Sequence, residues 1–493
     1  MRRRLGLYTG LIVIAIVSAM LIWQAWGQPY ALRRTLDTAR SSYPGLAKNN
    51  PTAAWWALAG WLLLWVGYGT GIWLIKRQAK ASQRALILII VGGWLVMALP
   101  WMNSYPGSSL DIFDYNFRGH MVAHLGVSPL ARPPIDVIED SVYPYLAWRK
   151  AVDSYGPVWE YISAATHSIA GDQPSLRATL AVALSAYRGL ALLASLGIGL
   201  GLWALLRRHG QASLGLVLWL WNPLVLYETA NGGHNDVLMM GVLLLAFWLL
   251  QRGHGVGAVL TLVLAAHIKI IALLLLPPFA LWYWRQHGFT AMLKAGLIAA
   301  PLAVLGSWLL FAPLGGWATL PRWWKERDGL VTGSLATWWA MSQSPTSTIT
   351  LETFAAAGKV FGLIFGAIVL PVLWVGWRQR SPLALACWAV LITYLLIGSF
   401  WFQQWYVLWL LPWAILAQGR WPVRISVAYT FLASGLMYFQ GWGNTWLTHT
   451  FGPNAVSIAN AIPTFLILLA TLGWMGALIK QRSAADHETP PPP

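Results

Sequence analysis

Apolar runs of about twenty residues recur along the chain, each closed by a short polar stretch that often carries Lys or Arg. About 20 helical residues cross a bilayer core. The pattern therefore predicts membrane helices at roughly 5–24, 53–75, 85–102, 180–206, 211–230 and 236–251 in the first half. Later spans are expected at about 291–311, 355–377, 383–400, 405–418, 425–440 and 457–479. The stretch 256–284 is long for one helix and short for two, with His267 and Lys269 in its middle and Pro277-Pro278 interrupting it. Arg252 before it and Arg285 and Lys294 after it all favour the cytoplasm. That requires an even number of crossings, hence two short or broken helices with His267 and Lys269 near the outer face. Irregular backbone at that depth is tolerated only where it lines a cavity or is buried in protein.

The expected architecture is an all-α polytopic membrane protein with about fourteen membrane segments and both termini cytoplasmic. Its parts are N-terminal membrane helices over 1–102, a long outer loop with interfacial helices over 103–178, and a helical bundle over 179–480. A second outer loop lies at about 312–354, and the polar, Pro-rich tail 481–493 is expected to be disordered. The run after MRRR is followed by no clear small-residue cleavage site and reads as an uncleaved first helix.

Composition sharpens this picture. The chain is 57% apolar and 10% charged, against about 25% charged in soluble domains. The net charge of +17 would suggest nucleic acid in a soluble protein. Here the cations sit in short clusters between apolar runs, the positive-inside pattern, and no nucleic acid partner is expected. The 34 Trp suit bilayer interfaces, with a minority free to line a lipid or sugar groove. Cys387, the single cysteine, excludes an internal disulfide. The ~10-residue alternation of a β-barrel is missing, and no repeat of 20–50 residues stands out.

Polar groups gather on the predicted outer side. The segment LDIFDYNFRGH (110–120) carries Asp111 and Asp114, three apart and so on one helical face, with Arg118 and His120 beyond them. Neighbouring carboxylates suit acid–base work because each raises the other's pKa; the plainer reading is that one caps a short helix. In WNPLVLYETANGGHNDVLMM (221–240), Asn-Gly-Gly marks a turn before His234, Asn235 and Asp236. Asn235 or Asp236 could cap the helix that follows, and His234 with Asp236 could ligate a metal, but no His/Cys spacing elsewhere supports zinc. Lys269, inside LVLAAHIKIIALLLLPP, must snorkel, be neutral or find an anion such as a lipid phosphate. Walker A, GxGxxG and HExxH signatures are missing, which argues against ATP-driven chemistry.

Five stretches in order resemble the GT-C superfamily of integral-membrane glycosyltransferases, and within it the bacterial polyprenol-phosphate-mannose-dependent α-mannosyltransferases of the family 87 type. They are DIFDYNFRGHMVAHLGVSPL (111–130), SYGPVWEYIS (154–163), NPLVLYETANGGHNDVLMM (222–240), HIKIIALLLLPP (267–278) and FQQWYVLWLLP (402–412). The first departs from the usual pattern, with Val-Ser-Pro-Leu where Asn-Pro-Tyr is usual, and more than one span precedes it, where the simplest members have one.

The resemblance implies a GT-C-type helical bundle in the bacterial inner membrane, with an outward-facing site that moves a hexose, most simply mannose. The donor would be a polyprenyl-phosphate-linked sugar and the acceptor a cell-envelope glycan or lipid. Transfer would invert the anomeric carbon, with Asp111 as general base and Asp114 in reserve. Lys269, helped by Arg118 or Arg188, would steady the leaving phosphate. Tyr155, His234, Asn235 and Asp236 would line the substrate pocket, and Gln404, Trp405 and Tyr406 the donor groove. No cofactor is expected; a divalent ion between Asp111 and Asp236 is conceivable but not needed. The competing reading is a transporter or flippase of an anionic lipid-linked glycan, which mid-membrane charges would favour. The crowding of charges at the outer edge favours the enzyme, and a scaffold without chemistry ranks last.

Overall fold

The computed structural model describes residues 2–38, 46, 51–77, 82–137, 143–321, 332–343, 350–452 and 461–488, which are mostly helical, without strands. Helix α1 (Arg2–Ile22) and the short α2 (Leu32–Thr38) lead to α3 (Pro51–Arg77) and α4 (Gln83–Met102). The connection that follows carries α5 (Asp111–Ala123) and α6 (Pro157–Ala170). Next come α7 (Leu176–Leu206), α8 (Ala212–Leu220), α9 (Pro223–Ala230), α10 (Asp236–Gln251) and α11 (Gly255–Ala266). After a 3₁₀ turn, Ile270–Leu275, follow α12 (Leu276–His287) and α13 (Phe289–Phe311). The last helices are α14 (Leu335–Ser342), α15 (Leu351–Arg378), α16 (Leu383–Thr393), α17 (Leu411–Ala417), α18 (Arg420–Phe451) and α19 (Ile462–Glu488).

Among the described residues, six helices are long and apolar enough to cross a membrane: α1, α3, α4, α7, α13 and α15. Their outward faces stay apolar, as at Leu88 (73% exposed), Leu297 (66%) and Leu363 (75%). Leucines this exposed over whole helices would be a liability in water and suit hydrocarbon. The short helices form the interior instead. Every residue of α9 is buried, including Glu228 and Thr229. Tyr227 on α9 meets Trp61 of α3 and Trp101 of α4 edge to face, at 5.7 and 4.7 Å between ring centres. Where α4 passes α1 and the α8–α9 turn, only glycine fits: a Cβ on Gly93 would come 2.8 Å from the Trp221 ring and 2.9 Å from Ala15.

Local sequence explains three departures from the expected spans. The span expected at 211–230 is broken between α8 and α9, because the Asn222 side chain accepts hydrogen bonds from the N–H groups of Leu224 and Val225 at 3.1 and 3.2 Å. Pro223 then opens α9, where its missing N–H costs nothing. In 256–284 the chain does break, but not at the prolines. Helix α11 ends at Ala266, Lys269 is extended (φ −151°, ψ 120°), and Pro277-Pro278 open α12. The span at 405–418 begins as a 3₁₀ turn, Gln404–Trp409, before α17. Helix α19 runs to Glu488. The final residues 489–493, and 322–331 and 344–349 of the expected second loop, lie outside the described residues.

Candidate active site

The two carboxylates lie in the first turn of α5, with Leu110 at the N-cap position, so neither acts as the capping residue. Asp114 turns back to the connection, accepting the backbone N–H groups of Ala147 (3.0 Å) and Trp148 (3.2 Å). Asp111 accepts the indole N–H of Trp148 at 3.2 Å. Burial pushes the Asp111 carboxyl above the usual carboxylate range, opposed by the charge of His234, the Trp148 bond and the charge of Lys269, and reinforced by Asp236. Asp111 is therefore within electrostatic reach of three residues from two other parts of the chain. Burial also pushes Asp114 up to about 7, against the pull of Arg118.

The Asn-Gly-Gly turn between α9 and α10 is pinned from both sides. Asn231 Oδ1 accepts the Gly107 N–H (2.9 Å), and its amide donates to Ser104 Oγ (2.8 Å) and the Tyr105 carbonyl (2.9 Å). Gly233 takes a positive φ of 64°, and a Cβ there would meet Ile112 of α5 at 2.8 Å. The turn thus seats directly on the helix that carries Asp111. His234 packs its ring flat on Trp405, 4.1 Å between centres, and places Nε2 3.1 Å from Glu228 Oε2. Burial disfavours the imidazolium, but the Glu228 carboxylate together with the charges of Asp111 and Asp236 outweighs it, so the His234 pKa is raised. Gln404 donates to the other Glu228 oxygen at 2.7 Å.

Lys269 reaches Asp236 Oδ1 at 2.7 Å, and the same oxygen accepts the Trp409 indole N–H at 2.7 Å. The ammonium faces the ring of Tyr406 at 4.5 Å, and those of Tyr155 and Trp409 each at 5.4 Å. Aromatic faces partly replace the water that a buried cation loses. The break before Lys269 is closed by the start of α6: the N–H groups of Gly156 and Val158 donate to the carbonyls of Ile268 (3.2 Å) and His267 (3.0 Å). A side chain at Gly156 would collide with the His267 backbone. Tyr155, next to this junction, brings its hydroxyl 3.3 Å from that of Tyr115 on α5.

The structure thus gathers Asp111, Tyr155, His234, Asp236, Lys269, Gln404, Trp405 and Tyr406 around one buried polar centre. Buried polar atoms without a protein partner are uncommon. Three successive residues of the turn each carry at least one: His234 Nδ1, both side-chain atoms of Asn235, and Asp236 Oδ2. Asn235 holds the N-cap position of α10 but makes no capping bond with its side chain. The two arginines are engaged with backbone. Arg118 donates to the carbonyls of Trp148 (3.3 Å) and Ala151 (3.0 Å) and pairs with Asp153 at 3.6 Å. Arg188 donates to the carbonyls of Asn231 (2.8 Å) and Met102 (2.7 Å). Glu228, one of the polar groups that the sequence places at the outer edge beside the Asn-Gly-Gly turn, joins the centre without having been assigned a role. Trp148 and Trp409 join it without having been singled out, and nothing local marks these two tryptophans among 34.

A buried acid facing a lysine and a cluster of ring-stacked polar groups, in an all-helical chain with membrane-length helices, fits an integral-membrane glycosyltransferase of the GT-C type. The chain belongs to the alpha-(1->6)-mannopyranosyltransferase family, whose N-terminal domain matches residues 3–286. Residues 175–399 also match glycosyltransferase family 87. Alpha-(1->6)-mannopyranosyltransferase A of Mycobacterium tuberculosis is 27% identical over 395 residues, 74% of this chain and 71% of that protein. The protein of the same name from Corynebacterium glutamicum is 26% identical over 252 residues, 48% of each chain. A probable alpha-(1->6)-mannopyranosyltransferase of Mycolicibacterium smegmatis is 27% identical over 303 residues, 59% of this chain and 48% of that protein.

Proposed function

We propose that the protein transfers mannose from a polyprenyl-phosphate-mannose donor to a hydroxyl of a cell-envelope glycan or glycolipid at the outer face of the bacterial plasma membrane, inverting the anomeric carbon. The relatives are named for α-(1→6) transfer, so the attacking group is a primary C6 hydroxyl. Asp111 takes the proton of that hydroxyl as its oxygen attacks the anomeric carbon. The bond to the lipid phosphate breaks on the opposite side, and the phosphate leaves as an anion.

Burial suits Asp111 to this work, because a carboxylate of raised pKa is a stronger base near neutral pH. Lys269, held at the centre by Asp236 and three aromatic rings, opposes the charge that develops on the leaving phosphate. The observation that carries the reading is the run of buried, partnerless polar atoms on His234, Asn235 and Asp236 beside these two groups. A sugar offers hydroxyls to bond such atoms, and an apolar lipid does not.

The test is transfer by the purified protein in liposomes, given labelled polyprenyl-phosphate-mannose and an α-mannoside acceptor. A new α-(1→6) linkage, identified by NMR of the product, is expected. Movement of the lipid-linked sugar across the bilayer without any transfer would replace this reading with that of a flippase.

A further inference from the structure

Away from the acid centre, three histidines meet where α5 ends and α6 runs past it. His120 and His124 are one turn apart at the end of α5, and His167 lies in the last turn of α6. Their rings form a triangle with all three centre-to-centre distances at 5.1 Å. One nitrogen from each ring can be chosen so that all lie within 4.8 Å of one another. The tightest pair is His120 Nδ1 and His167 Nε2, at 3.3 Å. Two imidazole nitrogens bound to one tetrahedral zinc at ~2.0–2.1 Å stand about 3.3 Å apart, so this edge already has the right length.

The surroundings match a ligating set. His167 Nδ1 lies 3.0 Å from Asn116 Oδ1, an oxygen that can only accept, so this nitrogen carries the proton and Nε2 presents its lone pair towards His120. That is the outer-shell bond that orients metal-binding histidines. His120 is partly exposed and His124 exposed, so an ion has a path in and the third ring has room to close on it. The platform is rigid: α5 and α6 approach so closely at Gly119 that a Cβ there would collide with the Ser163 carbonyl.

We propose that His120, His124 and His167 bind one divalent transition ion of the zinc type, with a water in the fourth position. The bound ion joins the end of α5 to α6. Asp111 opens the same helix, more than two turns away, so the ion fastens the helix that carries the acid and takes no part at the acid itself. This site is independent of the transfer reaction proposed above.

The experiment uses the full-length, tag-free protein in detergent, stripped with chelator and then titrated with Co²⁺ as a spectroscopic probe and with Zn²⁺. One equivalent of Co²⁺ with the intense visible bands of a tetrahedral nitrogen site is expected, displaced by one equivalent of Zn²⁺. Zn²⁺ should also raise the melting temperature by a few degrees. His120→Ala, His124→Ala and His167→Ala should each lose the bands and the shift, whereas His254→Ala, in a turn elsewhere, should keep both. Because His124 is exposed, His124→Ala should melt like the metal-free wild type, which separates loss of metal from loss of fold. No bands, binding only at millimolar metal, or an unchanged equivalent in the triple variant would overturn the proposal and leave the histidines as a hydrogen-bonded cluster.

Discussion

Lys269 Nζ lies 2.7 Å from Asp236 Oδ1, with only 7% of the lysine side chain and none of the aspartate exposed. The two come from different breaks in the helical bundle, one at the start of α10 and the other after α11. Desolvating such a pair costs about as much as its attraction returns, so stability alone is a weak reason for it. Its place beside Asp111 gives a functional reason.

Removing one partner should be costly. Lys269→Met and Asp236→Leu each leave a buried charge unpaired and should lower stability by about 3–5 kcal/mol, read as melting temperature in detergent. The double variant should recover most of that stability and still fail to transfer sugar. A double variant that is both stable and active would make the pair structural only.

Asp111 must be ionised to accept a proton, and burial raises its pKa. The acid limb of kcat/KM should therefore lie above the ~3.9 of a free aspartate. Rate against pH checks this, and an acid limb at or below pH 4 would contradict it.

The raised pKa of Asp114 makes stability depend on pH. Its folded pKa of about 7 exceeds the unfolded ~3.9. The associated stabilisation is complete below the unfolded value and is lost as pH rises through 7. Wild type should lose more melting temperature between pH 5 and pH 8 than Asp114→Asn does. Parallel curves would show that Asp114 stays ionised.

Glu228 holds Gln404 and His234 through separate oxygens. Glu228→Gln keeps the shape, removes the charge and points an amide at one of its two partners. A drop of about ten- to a hundredfold in kcat/KM is expected, equivalent to ~1.4–2.8 kcal/mol. An unchanged value would leave Glu228 outside the site.

Much of this was legible in the sequence because breaks in apolar runs are expensive. Cations on both sides of 256–284 demanded an even number of crossings and hence a break near Lys269, and that is where the chain leaves the helix. Asn-Gly-Gly announced the turn that sets His234 and Asp236. What stayed hidden depends on contacts distant in sequence. Nothing near Trp148 or Trp409 says that their indoles reach Asp111 and Asp236. The backbone partners that engage Arg118 and Arg188 are equally invisible in a linear pattern. The prolines at 277–278 misled because proline both stops and starts helices, and the neighbouring chain decides which.

In the proposed reaction Asp111 takes the proton of the attacking hydroxyl while Lys269 opposes the charge that develops on the leaving phosphate. The direct measurement is single-turnover transfer from labelled polyprenyl-phosphate-mannose by wild type and Asp111→Asn in the same liposomes, with donor binding measured in parallel. Asparagine can still accept the Trp148 N–H, so donor binding should hold while transfer falls by ~10²–10⁴. Equal transfer by the two proteins would remove Asp111 from the proton transfer.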